Sequence, residues 1–320
     1  MPGVTVVIPN WNRRELLDRL LESLGRQTRP IEEIVVADNG STDGSAQSAE
    51  AAGARVIRIG WNSGFSHAVN CGVRAARTRW LAIVNNDVEP APDWLDRLVE
   101  SAEREQAWFA TGKLLNGNRI DGTYDLVSRG ACAWRAGHGR LDGPEWARPR
   151  RIRLAPFTAA LFRAELFERV GLLDESFESY LEDVDFGLRC ARADLWGVYV
   201  PDAVAHHAGS ATLGEWHPET VRRISRNQLL LVAKHWPGRT QGWPVLVAQA
   251  LWWGLAVRHG AGWACLRGKA QGLRQFRAVR AAASQCPAVV RILEESEAEL
   301  LRLQQRTGFD RYWKLYFALT

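Results

Sequence analysis

The chain is short of methionine, lysine and patterned cysteine, and each shortage excludes something. One Met occurs in 320 residues, and Lys stands only at positions 113, 234, 269 and 314. The basic charge is therefore nearly all Arg, whose planar fork suits phosphate and also an anionic membrane face. Five Cys, at 71, 132, 190, 265 and 286, show neither zinc-site nor redox spacing. An odd, unpatterned number favours a reducing compartment. Met1 is not followed by a basic stretch, an apolar core and a cleavage site, so no secretory leader is expected. In such a compartment the formal glycosylation acceptor Asn39-Gly-Ser41 carries no weight. There is no internal repeat and no low-complexity segment. What remains is an ordinary globular composition, 46% hydrophobic and 24% charged with net charge +5. Its length allows one large or two small domains.

Fifteen Trp are present, many in the C-terminal half. Trp favours places that are apolar on one side and wet on the other. The first 115 residues alternate short apolar runs with amphipathic stretches. Strands are expected at Val4–Ile8, Glu33–Ala37, Arg55–Ile59, Trp80–Val84 and Trp108–Thr111. Helices are expected at Arg14–Arg26, Asp43–Ala52, Ser66–Arg77 and Pro92–Arg104, the last opened by Pro. That rhythm gives an α/β fold with a parallel sheet covered on both faces.

Residues 116–155 are rich in Gly, Arg and Trp and lack periodicity, which predicts loops, short antiparallel strands and a mobile, substrate-facing surface. From 156 the pattern predicts a strand to Phe162 and a helix to Val170. A helix at Glu182–Ala193, a strand at Gly197–Val200 and a helix at His217–His235 follow. Trp243–Val257 is almost wholly apolar but shorter than the ~20 residues that span a bilayer. Arg267, Lys269, Arg274, Arg277 and Arg280 follow it. This pairing fits a helix lying in a membrane interface, or one packed in the fold or a dimer contact. Ala288–Arg306 reads as a charged amphipathic helix without recognisable chemistry.

Candidate chemistry collects at the ends of the expected strands, where ligands bind in α/β sheets. Asn85-Asn-Asp87 closes the fourth strand. A hard oxygen ligand there suits Mg²⁺ or Mn²⁺ on a diphosphate, although the triplet could equally cap the next helix. Asp38 closes the second strand, where its carboxylate can accept the ring N–H of uracil, thymine or guanine. Asp43 reads as a turn or cap residue. Asn62 to Gly72 forms a loop-to-helix junction in which Gly64 permits close approach and the helix N-terminus offers N–H groups to an anion. Glu182, Asp183 and Asp185 crowd the first turn of a helix. Dipole-favoured capping explains one or two of these acids, and a general base for a substrate hydroxyl is the other reading. His206 and His207 follow a strand, where an imidazole can partner Asp87 on a metal.

These motifs, in this order, resemble the family 2 glycosyltransferases of the GT-A fold, and among them the rhamnosyltransferase-like enzymes of bacterial cell-surface polysaccharide synthesis. The resemblance covers roughly residues 4–236. It rests on Val7-Ile-Pro-Asn-Trp-Asn12, Val36 to Asp43, Asn62 to Gly72, Asn85-Asn-Asp87, Gly171-Leu-Leu-Asp174, Tyr180 to Asp185, His206-His207 and Arg226-Asn227. It implies a mainly parallel GT-A sheet flanked by helices, with a helical C-terminal extension. It implies that Pro9, Asn10, Asn12, Asp38, Asn62, Gly64 and Asn86 bind the donor nucleotide, with Asp38 on the base. Asp87 would be the metal ligand, joined by His207, which spacing to Ser210 and Thr212 favours over His206. Asp183, paired with Glu182, would be the catalytic base. Tyr180, Asp185, His206 and Arg226 would contact acceptor or phosphate. One departure is Asn85, where many relatives carry Asp, so the ion would bind mainly with the donor.

The resemblance thus implies an inverting enzyme using Mg²⁺ or Mn²⁺ and a UDP, dTDP or GDP sugar. Its acceptor would be a saccharide or lipid-linked saccharide. Residues 1–115 would hold the donor, 116–236 the acceptor and catalytic groups, and 237–320 a helical region able to touch membrane. A cytoplasmic protein at the inner face of the plasma membrane is expected, with no nucleic-acid partner and room for a homodimer. Two rivals stand beside it. A sugar nucleotidyltransferase expects a Gly-rich basic N-terminal loop, which Pro9-Asn-Trp-Asn12 is not. A catalytically dead nucleotide-sugar scaffold would have no need of the acidic cluster at 182–185.

Overall fold

The structure is a computed structural model that describes residues 3–207, 216–238, 242–283 and 286–320. Along the chain run β1 (Val4–Asn10), α1 (Arg14–Gly25), β2 (Glu33–Asp38), α2 (Ser45–Ala51), β3 (Arg55–Arg58), α3 (Phe65–Ala75), β4 (Trp80–Val84), β5 (Val88–Pro90) and α4 (Trp94–Arg104). Then come β6 (Phe109–Asn116), β7 (Arg119–Gly122), β8 (Asp125–Val127), β9 (Ala133–Arg135), β10 (Arg150–Ile152), β11 (Ala159–Arg163), α5 (Ala164–Val170), α6 (Glu182–Arg192) and β12 (Gly197–His207). Helices α7 (Pro218–His235), α8 (Gly242–Arg258), α9 (Gly262–Ala282), α10 (Ala288–Thr307) and α11 (Arg311–Leu319) complete it. The chain divides into two compact units, Met1–Tyr124 with Gly137–Gly209, and Asp125–Ala136 with Ser210–Thr320.

In the first unit the sheet order is β10-β12-β6-β11-β4-β1-β2-β3, with β5 added to β12 and β7 to β6. Strands β3, β2, β1 and β4 are parallel, as the helix-alternating sequence predicts. β11 then runs antiparallel to both β4 and β6. No helical crossover leads into it. The chain arrives through the excursion at 116–158, and a parallel neighbour would need a crossover. Alternation along β1 sends Val4, Val6 and Ile8 into a core with Leu17 and Leu20 of α1 and Trp94 and Leu98 of α4. Val7 points to the other face, against α3. A Cβ on Gly72 would lie 2.2 Å from its Cγ1, so α3 sits directly on the strand. Phe157, Phe162, Phe167 and Phe186 stack edge and face to seat α5 and α6.

Two expectations change. Residues 116–155 are not an exposed loop surface, since Ile120, Tyr124, Val127, Ala131, Trp134 and Trp146 are buried. Their short strands simply lack the length that shows periodicity. β12 continues to His207 rather than ending at Val200. Between Tyr199 and Val204 it carries more residues than β6 does between Thr111 and Lys113, a bulge built around Pro201.

In the second unit α7 packs along α9 through Gly268 and Gly272. Cβ atoms there would come within 2.2 Å of Arg222 O and 2.9 Å of Arg226 O. The β8–β9 hairpin is held by α10 and α11. Ser296 Oγ accepts from Val127 N–H at 2.8 Å, Glu297 accepts from Arg129 N–H and Nε, and the Tyr316 hydroxyl donates to Glu297. No helix among the described residues is long and apolar enough to cross a membrane.

The bulge in β12 depends on Gly112, where a Cβ would stand 1.9 Å from Ala203 O. That atom belongs to a paired strand and cannot swing away. We expect Gly112→Ala to destabilise the protein by about 1–3 kcal/mol in urea unfolding. An unchanged midpoint would mean that β12 does not approach β6 in this way.

Candidate active site

The carboxyl ends of β1, β2 and β4 meet in a network of short polar side chains. Asn10 Nδ2 donates to Asp38 Oδ1 at 3.3 Å and to Ser41 Oγ at 3.2 Å. Asn86 Nδ2 donates to Asn10 Oδ1 at 2.7 Å. Ser41 N–H donates to Asp38 Oδ2, and Asn12 Oδ1 accepts from Thr42 N–H. The network exists because parallel pairing sets Asn10 opposite Asp38 at the last rung of β1 and β2. Asp38 is 4% exposed, and each of its oxygens keeps a lone pair for a further donor. Pro9 pairs with Ala37 and holds the strand end that carries Asn10.

Asn39 extends the network. Its Nδ2 donates to Asn62 Oδ1 and Gly64 O, and its Oδ1 accepts from the N–H and hydroxyl of Ser63. This residue lies in a motif that sequence reading marks without assigning it a task. The N-terminus of α3 differs from expectation. Its first N–H groups are not open to an anion, because Phe65 N–H donates to Ser179 Oγ at 3.3 Å and Ser66 N–H to Glu178 O at 3.0 Å. Gly64 answers to the same approach, with φ +88° and a Cβ position 3.0 Å from Glu178 O. The close backbone neighbour of Gly64 is the chain itself.

That neighbour is the loop entering α6. Glu178, Tyr180 and Leu181 all have positive φ, at 60°, 72° and 67°. Three non-glycine residues in this region within four positions mark stored strain. The loop delivers the acids of α6 to different surroundings. Asp183 is half-buried and its Oδ1 accepts from Val184 N–H at 2.8 Å, while Glu182 is buried. Asp185 is 0% exposed and accepts from Arg189 Nε at 3.0 Å. Arg189 in turn donates to the carbonyls of Val170, Gly171 and Leu172. Asp185 is therefore a structural anchor and not the acceptor contact expected of it. Hydrogen bonds thus link Asn86 to Asn10, Asn10 to Asp38 and to Asn39 N–H, and Asn39 to Gly64, next to the Phe65 and Ser66 N–H groups that hold the loop before Asp183. The structure brings Asn10, Asp38 and Gly64 to one end of the sheet.

Asp87 lies on the turn between β4 and β5. In register, Val88 of β5 pairs with His207 of β12, so Asp87 and His207 meet. His207 Nε2 is 3.2 Å from Asp87 Oδ1, and His207 Nδ1 is 2.8 Å from Asp121 Oδ2. Alternation at the end of β12 separates the two histidines. His206 is exposed and His207 is turned toward the carboxylates. Both belong to the strand itself rather than to a loop after it. Ser210 and Thr212 lie outside the described residues. Burial opposes charge on His207, but the hydrogen bonds to Asp121 and Asp87 and the charge of both carboxylates outweigh it. Together they raise the imidazole from 6.5 to about 9. A proton here does what a cation would do, balancing two acids in a shielded place.

The donor set fits a divalent ion. The side-chain oxygen Asn85 Oδ1 is shielded from solvent and accepts no hydrogen bond among the described residues, and Asp87 Oδ1, equally shielded, has His207 Nε2 at 3.2 Å. Asp87 Oδ1 is a hard ligand atom and His207 Nε2 a borderline one, and Asp121 orients the ring from behind. Among the described residues no group of three His, Cys, Asp or Glu forms a closed cage. Two protein ligands suit an ion that completes its shell with phosphate oxygens and water. Asp121 has no sequence signal, since it stands in a four-residue strand within an aperiodic stretch and meets a residue 86 positions away. Arg226 belongs to the second unit, where it is buried and its Nε donates to Asn227 Oδ1.

Comparison with known proteins agrees with this geometry. Residues 5–171 match the model of the family described as glycosyl transferase family 2. The chain is 33% identical over 237 residues to N-acetylglucosaminyl-diphospho-decaprenol L-rhamnosyltransferase of Mycobacterium tuberculosis, covering 65% of this chain and 76% of that protein. It is 29% identical over 238 residues to the O-antigen biosynthesis protein RfbC of Myxococcus xanthus, covering 68% of this chain but only 18% of that one. Its fold is similar to the mannosyltransferase PcManGT of Pyrobaculum calidifontis, solved with GDP-mannose and Mn²⁺. The TM-score is 0.56 at 19% identity, over 99% of this chain and 86% of that one. With the GT-A sheet, the strand-end network and these matches in hand, the chain belongs to glycosyl transferase family 2 and is a glycosyltransferase similar to rhamnosyltransferases.

Proposed function

We propose that this glycosyltransferase is inverting and metal-dependent, and that it moves a sugar from a nucleotide diphosphate sugar to a saccharide or lipid-linked saccharide in cell-surface polysaccharide synthesis. The observation that carries the reading is the polar network that links Asn86, Asn10, Asp38 and Asn39 to the residues holding the loop before Asp183, with the Asp87–His207 pair one residue along the chain from Asn86. The name of the mycobacterial relative supports L-rhamnose as the transferred sugar and a polyprenyl-diphosphate saccharide as the acceptor. The PcManGT complex supports Mn²⁺, with Mg²⁺ the other hard ion of suitable size.

In this mechanism Asp38 accepts the ring N–H of the base, and Asn10 and Ser41 hold its carboxylate in place. Asp87 and His207 would hold the ion, which when bound neutralises charge on the departing diphosphate. Asp183 takes the proton of the acceptor hydroxyl as its oxygen attacks the anomeric carbon from the face opposite the leaving group. That direct displacement inverts the centre. The strained loop at Glu178–Leu181 fixes where Asp183 points, so acceptor and donor are held in line and the entropy cost of bringing them together is met on binding.

Asp183→Asn keeps the shape of the side chain and removes the base. It is expected to lower kcat at least about a hundredfold while donor affinity, read by calorimetry, stays within about twofold. Turnover near that of the unsubstituted enzyme would place the base elsewhere.

Asp87→Ala and His207→Ala are each expected to weaken Mn²⁺-dependent donor binding by tenfold or more, with binding of the free nucleoside unaffected. Chelation with EDTA should do the same to the unsubstituted chain. Donor binding insensitive to chelation would remove the ion from the mechanism.

A further inference from the structure

We infer that the α8–α9 hairpin of the second unit is a docking surface for an anionic lipid bilayer. α8 is apolar on all sides, yet one side of it is uncovered. Trp243, Leu246, Ala250, Trp253 and Val257 are exposed and follow one another at intervals of three and four residues, a single stripe along a helix about 25 Å long. In a surface helix that stripe normally faces a core. Here Trp243 is 63% exposed. α9 continues the pattern, with Trp263 74% exposed and Leu266 and Leu273 also uncovered. The turn between the helices, at His259–Ala261, puts Trp253, Val257, Trp263 and Leu266 within two helical turns of the hairpin tip.

Charge says what covers this face. Positions 220–293 contain no Asp or Glu and 12 Lys or Arg. Arg258, Arg267, Arg274 and Arg277 on these two helices are exposed and make no ion pair among the described residues. Elsewhere in the chain exposed Arg usually finds a carboxylate, as Arg26, Arg97 and Arg169 do. Two copies of this chain joined through the face would set like charges together, which disfavours a symmetric dimer there. An anionic bilayer satisfies both features. Trp and Leu enter the headgroup boundary, and each Arg gains from the negative surface potential. The helices lie on the bilayer rather than cross it, because neither is long and apolar enough to span. This inference stands apart from the donor chemistry proposed above.

The test is flotation of the full chain with phosphatidylcholine vesicles and with mixed phosphatidylcholine–phosphatidylglycerol vesicles. Binding to the mixed vesicles alone, weakening as salt rises and accompanied by a blue shift of tryptophan emission, is the expected result. The exposed substitutions Trp253→Ser with Trp263→Ser should lower partitioning tenfold or more. Arg267→Glu with Arg274→Glu should lower it about fivefold or more per site and abolish the preference for anionic lipid. Both variants should keep the unsubstituted thermal midpoint and full transfer to a short water-soluble acceptor, which separates this result from any failure of the proposed chemistry. Absence of vesicle binding overturns the inference. So does a concentration-dependent dimer that the Trp substitutions break while lipid binding is untouched, or binding to duplex nucleic acid that exceeds binding to the vesicles.

Discussion

The three-residue ladder between β5 and β12 is the constraint on which the site depends. Asp87 ends a loop and His207 ends a strand more than a hundred residues later. They meet only because Val88 pairs with His207. That register is itself fixed upstream, by the bulge that Pro201 forces and Gly112 accommodates. A strand shifted by one residue would turn His206 inward and His207 out. The irregularity in β12 therefore selects which imidazole faces the carboxylates, and Asp121 on β7 then fixes the ring from behind.

Strain and hydrogen bonding work against each other around the same cleft. Asn12 and Arg13 after β1, and Glu178, Tyr180 and Leu181 before α6, hold left-handed conformations that cost of order 1–3 kcal/mol each in non-glycine residues. Asn tolerates this conformation better than most residues, and the Asn12 side chain is further held by Thr42 N–H, 30 positions along the chain. In the second loop Leu181 cannot cap α6. The loop is fastened to α3 through the backbone carbonyl of Glu178 and the side-chain hydroxyl of Ser179. The groups that look from sequence like an anion cradle are spent on holding the loop before α6. In the proposed mechanism Asp183 is preorganised at the expense of a phosphate contact.

Much of the first unit is legible in the sequence because its elements are long enough to show a period. β1, β2 and β4 end within two residues of where alternation and turn residues predict, and Asp38 and Asp87 stand at strand ends for that reason. What was not legible is short or non-local. β5 has three residues and no pattern of its own. Asp121 is one acid in an aperiodic stretch, and its importance lies entirely in what folds onto it. The acidic triplet of α6 shows a different limit. Helical spacing puts Glu182, Asp183 and Asp185 in one turn, but only packing separates the buried partner of Arg189 from the acid that water can reach.

Tryptophan content illustrates why composition alone leaves the second unit open. In the first unit, Trp80 and Trp94 are fully buried, and Arg163 stacks over Trp80 and Trp108. At these positions aromatic rings and guanidinium groups serve packing, with the cation held against a π face, although Trp61 of the same unit is exposed. On α8 and α9 the same two residue types occur together, yet the rings of Trp243, Trp253 and Trp263 are uncovered and Arg258, Arg267, Arg274 and Arg277 make no ion pair among the described residues. The distinction is not in how many Trp or Arg are present but in the missing acids. A stretch without Asp or Glu cannot neutralise its own Arg, so the neutralising charge has to come from outside the stretch. A surface that offers apolar depth and negative charge together, layered in that order from the inside out, meets both demands at once.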